Sequence, residues 1–263
     1  MTAVCAPYTL LRRAGEAQSP AAPPAERRAG LLREDVRQII EQRHFSLAFQ
    51  PVVRLSDRTV AAHEALLRLH PPAGLPKLPT GVFVELAAGW GLAQALDTAV
   101  LEMALGARAA AMSANIAGRS LQDAAFMRRA ISLIGDAAPR LLIEVTAAAG
   151  IDDMAAMAHG VAALQAAGVL VCLDDLGADA ATLDCMRAVR FDQVKFAGTV
   201  VRAAAGGERG RRLAAALVAL AAAVGAETVA KSVETLPQAW QMQELGVRHG
   251  QGWLFGPPGK LAD

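Results

Sequence analysis

The chain has 263 residues, of which 54% are hydrophobic, and a formal net charge of +1 at neutral pH. That hydrophobic content excludes global disorder, and the near-zero charge supplies no basic field for a nucleic-acid polymer. Three scattered cysteines, Cys5, Cys172 and Cys185, show no CxxC spacing, which argues against a disulfide framework or a zinc site and favours a reducing, cytoplasmic compartment.

Residues 1–30 mix Ala, Pro, Arg and Ser with little periodic hydrophobicity. This predicts a disordered tail ahead of one domain over residues 31–263. The tail has no apolar core followed by a cleavage site, so secretion is not expected. "LLREDVRQIIEQR" then has helical spacing, "FSLAFQPVV" and "TVAAHEALLRL" read as strands, and residues 81–109 read as one or two helices. From there the alternation is regular. The strands "AMSANIA", "RLLIEVT", "VLVCLDD", "DQVKFAG", "AETVA" and "VRHGQG" are separated by amphipathic or alanine-rich helical stretches.

Eight strand-like segments with helical crossovers predict parallel pairing, and a span of about 230 residues matches an eight-fold β/α barrel. A doubly wound open sheet is the alternative, because periodicity does not distinguish closure from openness. No G-x-G-x-x-G follows the first strand and no P-loop occurs, so nucleotide binding by those two routes is not expected. The longest apolar stretch, Leu213 to Ala226, is too short to span a bilayer and reads as a buried helix. Trp90, Trp240 and Trp253 read as packing residues, and the lone His63 and His249 as structural or exposed.

Polar residues recur at the strand ends: Gln50, Glu64, Asn115, Glu144, Asp174 with Asp175, Lys195, Lys231 and Gln251. In a parallel barrel these ends converge on one face. Glu64, Asn115, Glu144, Asp174 and Asp175 together form an oxygen-rich, negative rim suited to a hard divalent cation such as Mg²⁺ or Mn²⁺. A single carboxylate of this kind is commonly a helix cap or a surface ion pair. Five oxygen ligands on successive strands are not explained that way.

The same residues carry a family resemblance. "HEALLRL" contains the E-A-L signature of the EAL domains, the bacterial phosphodiesterases and receptors for cyclic di-GMP. "FQPVV", "NIAGRSL", "LLIEVT", "LDDLG", "FDQVKF", "VAKSVET" and "HGQGWLFGPP" resemble the further motifs of that family, in unbroken order from Phe45 to Pro258. The resemblance implies a TIM-like barrel whose first strand is reversed. It also implies Glu64, Asn115, Glu144, Asp174 and Asp175 as metal ligands, with Glu64, Asp175 and Lys195 in the catalytic set. Lys195 would steady the attacking water or the phosphate. Gln50, Leu66, Arg68, Glu234, Gln251 and Pro257 would contact the dinucleotide, Arg68 through a phosphate and Glu234 through a guanine edge. In active members two-metal assistance opens the cyclic dinucleotide to linear pGpG.

Three departures from the family pattern bear on activity. Lys231 stands where the family carries a glutamate metal ligand, which reverses a charge beside the ion. At about 4 Å and an effective dielectric near 20, each unit interaction is worth roughly 4 kcal/mol. Lys231 is therefore expected to pair with Glu64, Glu144 or Asp174 in place of the ion. A solvated lysine pointing away, or a catalytic amine of lowered pKa, are the other readings. Ala147 replaces a loop-holding glutamate, and "DDLGADAATL" replaces a Gly- and hydroxyl-rich loop, which is expected to lose hydrogen bonds there and puts the family's dimer in doubt.

Two functions follow as expectations: a degenerate domain without cofactor that acts as a cyclic di-GMP receptor or protein scaffold, and an active Mg²⁺- or Mn²⁺-dependent phosphodiesterase. A third reading is a domain that works only through a protein partner.

Overall fold

The computed structural model describes residues 31–107, 109–146 and 151–261. The expected tail over residues 1–30 and the replacement at Ala147 lie outside the described residues.

Helix α1 (Arg33–Glu41) leads into β1 (Phe45–Arg54), which turns back antiparallel on β2 (Val60–Leu69). Helices α2 (Thr80–Gly89) and α3 (Ala93–Leu105) follow, then β3 (Met112–Ala117), α4 (Gly118–Leu121), α5 (Ala124–Ile134) and a 3₁₀ turn (Gly135–Arg140). Next come β4 (Leu141–Thr146), α6 (Met154–Ala166), β5 (Leu170–Leu176), α7 (Ala180–Ala188) and β6 (Gln193–Phe196). The chain ends with α8 (Gly198–Ala205), α9 (Glu208–Ala223), β7 (Glu227–Ala230), α10 (Leu236–Glu244) and β8 (His249–Gln251).

The eight strands close into a barrel in sequence order. Strands β2 to β8 pair in parallel, while β1 is antiparallel to both β2 and β8. The barrel is the expected one, and the open sheet is not formed. Helix starts are signalled locally: Asp123, Asp153 and Asp179 each accept a backbone N–H from the third residue on. Thr235 and Gln238 form a reciprocal capping box at α10.

Alanine and glycine let the outer helices approach closely. A Cβ at Gly160 would lie 2.2 Å from the Leu121 carbonyl oxygen, so α6 packs on α4 only without a side chain there. The core divides in two. One cluster fills the space between strands and outer helices, and a second joins α1, α2 and α3 around Phe45 and Phe83.

Helix α9 departs from the sequence reading. Only Ala214 and Ala221 are buried in it, while Leu213 is 57% exposed and Leu220 and Val224 are also exposed. An outer barrel helix touches the sheet along one face, so small apolar residues raise its hydropathy without all being buried. No helix among the described residues is long and apolar enough to cross a membrane.

Asp97, on α3, ties the end of β3 to α4. Its Oδ2 accepts from the Ala117 N–H at 3.1 Å and from the Ser120 hydroxyl at 2.6 Å. Burial raises its pKa to about 7, against the opposing pull of those two bonds. The folded chain thus holds a proton that the unfolded chain releases between about pH 4 and pH 7. The stabilisation is full below the unfolded pKa and is lost as pH rises through about 7. In urea denaturation the parent is expected to lose more stability than Asp97→Asn between about pH 5 and pH 8, by on the order of 3 kcal/mol at most. Equal losses would contradict the assignment.

Candidate functional site

Alternation along the strands sets which side chains enter the barrel. Glu64 on β2, Glu144 on β4, Lys195 on β6 and Gln251 on β8 form one layer, drawn from the even strands. Gln50 on β1, Asn115 on β3, Asp174 on β5 and Lys231 just beyond β7 come from the odd ones. Layers built from alternate strands are the packing rule of such barrels. Here both layers are polar.

The even layer centres on Lys195, whose side chain is 1% exposed. Its Nζ donates to Glu64 Oε2 at 2.8 Å, to Glu144 Oε1 at 2.5 Å and to Gln251 Oε1 at 3.1 Å. Burial would lower the lysine pKa, but Glu144 and Glu64 outweigh it and hold the ammonium charged. Asn115 Nδ2 donates to Glu64 Oε1 at 2.8 Å, which joins the two layers. Gln251 Nε2 reaches Glu64 Oε2 at 2.5 Å and Gln50 Oε1 at 3.2 Å. Burial raises the Glu64 pKa, yet Lys195, Gln251 and Asn115 together take it below the usual carboxylate range.

Glu144 behaves oppositely. Burial, with the charge of Glu64 added, raises its pKa to about 7 despite Lys195. The Ser113 hydroxyl donates to its Oε1, while its buried Oε2 has no hydrogen-bond partner.

The odd layer holds the second cation. Lys231 Nζ lies 2.8 Å from both oxygens of Asp174 and 2.9 Å from Asp175 Oδ1. Of the three expected partners it takes Asp174. Burial lowers the Lys231 pKa, but Asp174 and Asp175 raise it further, so this is not an amine of lowered pKa and it does not point away to solvent. Asp174 is raised by burial, partly offset by Lys231 and Lys195. One partner of the bridge, Asp175 (φ 55°), and the residue after Lys231, Ser232 (φ 57°), are both left-handed without being glycine. Such positions cost energy and cluster at functional sites.

The four carboxylates among the five expected ligands are therefore divided between two ammonium groups, Glu64 and Glu144 around Lys195, Asp174 and Asp175 around Lys231, while Asn115 donates to Glu64. Among the described residues no three acidic, histidine or cysteine side chains gather into a group that would hold a metal ion. As arranged, the donor set does not fit a divalent cation. Glu144 Oε2 alone is buried and unengaged.

Above this network lies a cleft of about 200 Å³. Gln50, Glu64, Gln251 and Lys231 form its floor, and Leu66, Glu234 and Trp253 line it. Arg68 and Pro257 are not among its lining residues, and Arg68 donates to the neighbouring Leu67 carbonyl. A larger cleft of about 540 Å³ opens between Arg54, Glu227 and Arg248 at the other end of the barrel. Its arginines are already engaged, Arg54 with Asp57 and Thr59, Arg248 with Glu227. His249 lines that far cleft, and His63 alternates with Glu64 on β2 and faces outward.

Two expectations are corrected. Trp253 is 76% exposed and Trp240 55%, so only Trp90 of the three tryptophans packs. The altered loop before α7 has hydrogen bonds of its own: Asp179 accepts from Thr182 N, and the Thr182 hydroxyl donates to Asp179 O at 2.9 Å. Asp179 is extended (φ −147°) and needs no glycine. Ser113 was missed, although it stands two residues before Asn115 and so shares its inward face.

The family model of the EAL domain matches residues 33–258, and the chain belongs to that family. An uncharacterised protein of Mycobacterium tuberculosis, Rv1357c, is 27% identical over 241 residues, spanning 85% of this chain and 78% of that protein. The cyclic di-GMP phosphodiesterase NbdA of Pseudomonas aeruginosa is 29% identical over 88% of this chain but only 31% of its own length. The solved MucR phosphodiesterase of Pseudomonas aeruginosa, in complex with cyclic di-GMP, superimposes with a TM-score of 0.73 at 28% identity, covering 86% of this chain and 96% of that one.

Removing Lys195 leaves two buried carboxylates facing each other. Lys195→Met is expected to cost about 3–5 kcal/mol in chemical denaturation. Lys231→Met is expected to cost less, because it leaves one buried carboxylate, Asp174 at 7% exposure, beside Asp175, which at 46% exposure is screened by water. The reverse order of the two losses would contradict this account.

Proposed function

We propose that this EAL domain binds cyclic di-GMP without a metal ion and does not hydrolyse it, serving as a receptor or protein scaffold in signalling. One observation carries the reading: the Lys231 ammonium engages three oxygens of Asp174 and Asp175 at 2.8–2.9 Å. A divalent ion at those oxygens would have to displace a paired cation and then face its charge. Substituting Lys231 for a glutamate changes the local charge by two units, and at roughly 4 kcal/mol per close interaction the sign is decisive even after screening. Gln50, Glu64, Leu66, Glu234 and Gln251 line the cleft above, which supports binding there, although Arg68 and Pro257 do not line it. The lysine supplies positive charge toward a bound phosphate that a metal supplies in active relatives.

The alternative is an active, metal-dependent phosphodiesterase giving pGpG. It is favoured by the presence of Glu64, Asn115, Glu144, Asp174, Asp175 and Lys195, and by the unengaged Glu144 Oε2. Calorimetry with cyclic di-GMP, in Mg²⁺ and in EDTA, separates the two. Equal affinity in both, with no pGpG by chromatography, is the expected result. Turnover by the parent protein would establish the alternative. Lys231→Glu is expected to bind Mg²⁺ or Mn²⁺ at least tenfold more tightly than the parent, and an unchanged metal affinity would remove the role given to Lys231.

A further inference from the structure

The second mouth of the barrel, opposite the functional site, holds the cleft of about 540 Å³. Branched apolar side chains ordinarily fill the interior of such barrels, and the mouth at the N-terminal ends of the strands serves stability. Here that mouth is polar. Arg54 on β1 pairs across the strands with His249 on β8. Arg54 shares a strand face with Gln50 and His249 shares one with Gln251, so alternation turns both toward the interior. Glu227 at the start of β7, with Ser56, Gln243 and Arg248, completes the polar lining. The His249 Nδ1 is buried with no hydrogen-bond partner, and buried polar atoms left so are uncommon in folded proteins. Burial lowers the His249 pKa, against the opposing charge of Glu227, so the ring is neutral near pH 7.

The two arginines of this cleft are engaged on one side only. Arg54 donates to Asp57 Oδ2 and Thr59 Oγ1 through Nη1, and Arg248 meets Glu227 through Nη1. Nε and Nη2 of both groups make no hydrogen bond among the described residues, and neither do the side chains of Ser56 and Gln243. Each guanidinium thus keeps its Nε–Nη2 edge, the fork that grips an oxyanion in two-point fashion. A carboxylate, flat with two oxygens, is satisfied by one fork. A phosphate, with three oxygens spread in space, takes two forks, with a hydroxyl and an amide besides. The one carboxylate of the lining, Glu227, has its charge offset by Arg248 and accepts from a hydroxyl. The cleft is also larger than a phosphate ion fills. We infer that this mouth is a second ligand site, for a small phosphate monoester that carries hydroxyl groups, a sugar phosphate or mononucleotide. Arg54 and Arg248 take the phosphate and Glu227 takes a hydroxyl. The site stands apart from the cyclic di-GMP cleft and does not rest on the function proposed there.

The test titrates the full chain by calorimetry with ribose 5-phosphate, guanosine 5′-monophosphate, inorganic phosphate and plain ribose. Binding of either ester, with none of ribose, is the expected result, and the tighter ester tells sugar phosphate from mononucleotide. Arg54→Met and Arg248→Met are each expected to bind the ester about tenfold more weakly, from the usual strength of a charge-assisted hydrogen bond. Glu227→Gln is expected to narrow the preference for ribose 5-phosphate over inorganic phosphate. The Arg54 and Arg248 side chains are 50% and 66% exposed, so both arginine variants are expected to unfold at the parent's urea midpoint. Nuclear magnetic resonance of the parent locates the ligand without any substitution. The His249 ring signals are expected to shift as the ester is added, and those of His63, on the outward face of β2, to stay. Absence of binding by both esters would overturn the site, as would parent-like affinity in both arginine variants or an unmoved His249 ring. Equal affinity for inorganic phosphate and ribose 5-phosphate would overturn the role given to Glu227.

Discussion

Two carboxylates of a barrel interior, Glu64 and Glu144, are tolerated because the ammonium of Lys195 sits between them, and much of the site's arrangement follows from that contact. Their side chains are 6% and 0% exposed, so neither is screened by water. Glu64 takes most of the compensation, from Lys195, Gln251 and Asn115, and stays ionised. Glu144 is buried and also bears the remaining repulsion, so its proton affinity rises. The strands that supply these residues, β2, β4, β6 and β8, are held in register by the closed sheet. The charge balance and the barrel closure therefore support each other.

Lys231 extends the same solution to the rim. A barrel that gathers four carboxylates on one face needs cations there, and metal ions are one source of them. A lysine at the end of β7 is another, covalently attached and always present. Its bridge to Asp174 and Asp175 ends on one left-handed residue, Asp175, and the residue that follows Lys231, Ser232, is left-handed too. The consequence is a fixed positive charge at the oxygens of Asp174 and Asp175, which the family resemblance assigns to metal.

The barrel was legible in the sequence because eight extended segments alternated with helical ones, and the polar strand ends stood out against an apolar background. The reversed first strand came from family resemblance; periodicity alone carries no direction. Ser113 was also within reach, since it shares the face of Asn115. Other features were not legible. The exposure of Leu213, Leu220 and Trp253 depends on which helix faces and turns the rest of the chain leaves uncovered, and hydropathy does not encode that. The hydrogen bonds of Asp179 and Thr182 depend on the backbone angles of the folded loop, which composition does not give.

By itself the sequence determined the order of the strands, the family, the ligand-type residues and the reversal of charge at position 231, because those follow from residue identity and spacing. Only the tertiary structure decided how the charges are shared: Glu64 and Glu144 with Lys195, Asp174 and Asp175 with Lys231. Pairing depends on distances of about 3 Å across strands more than 50 residues apart in the chain, and these exist only once the barrel has closed.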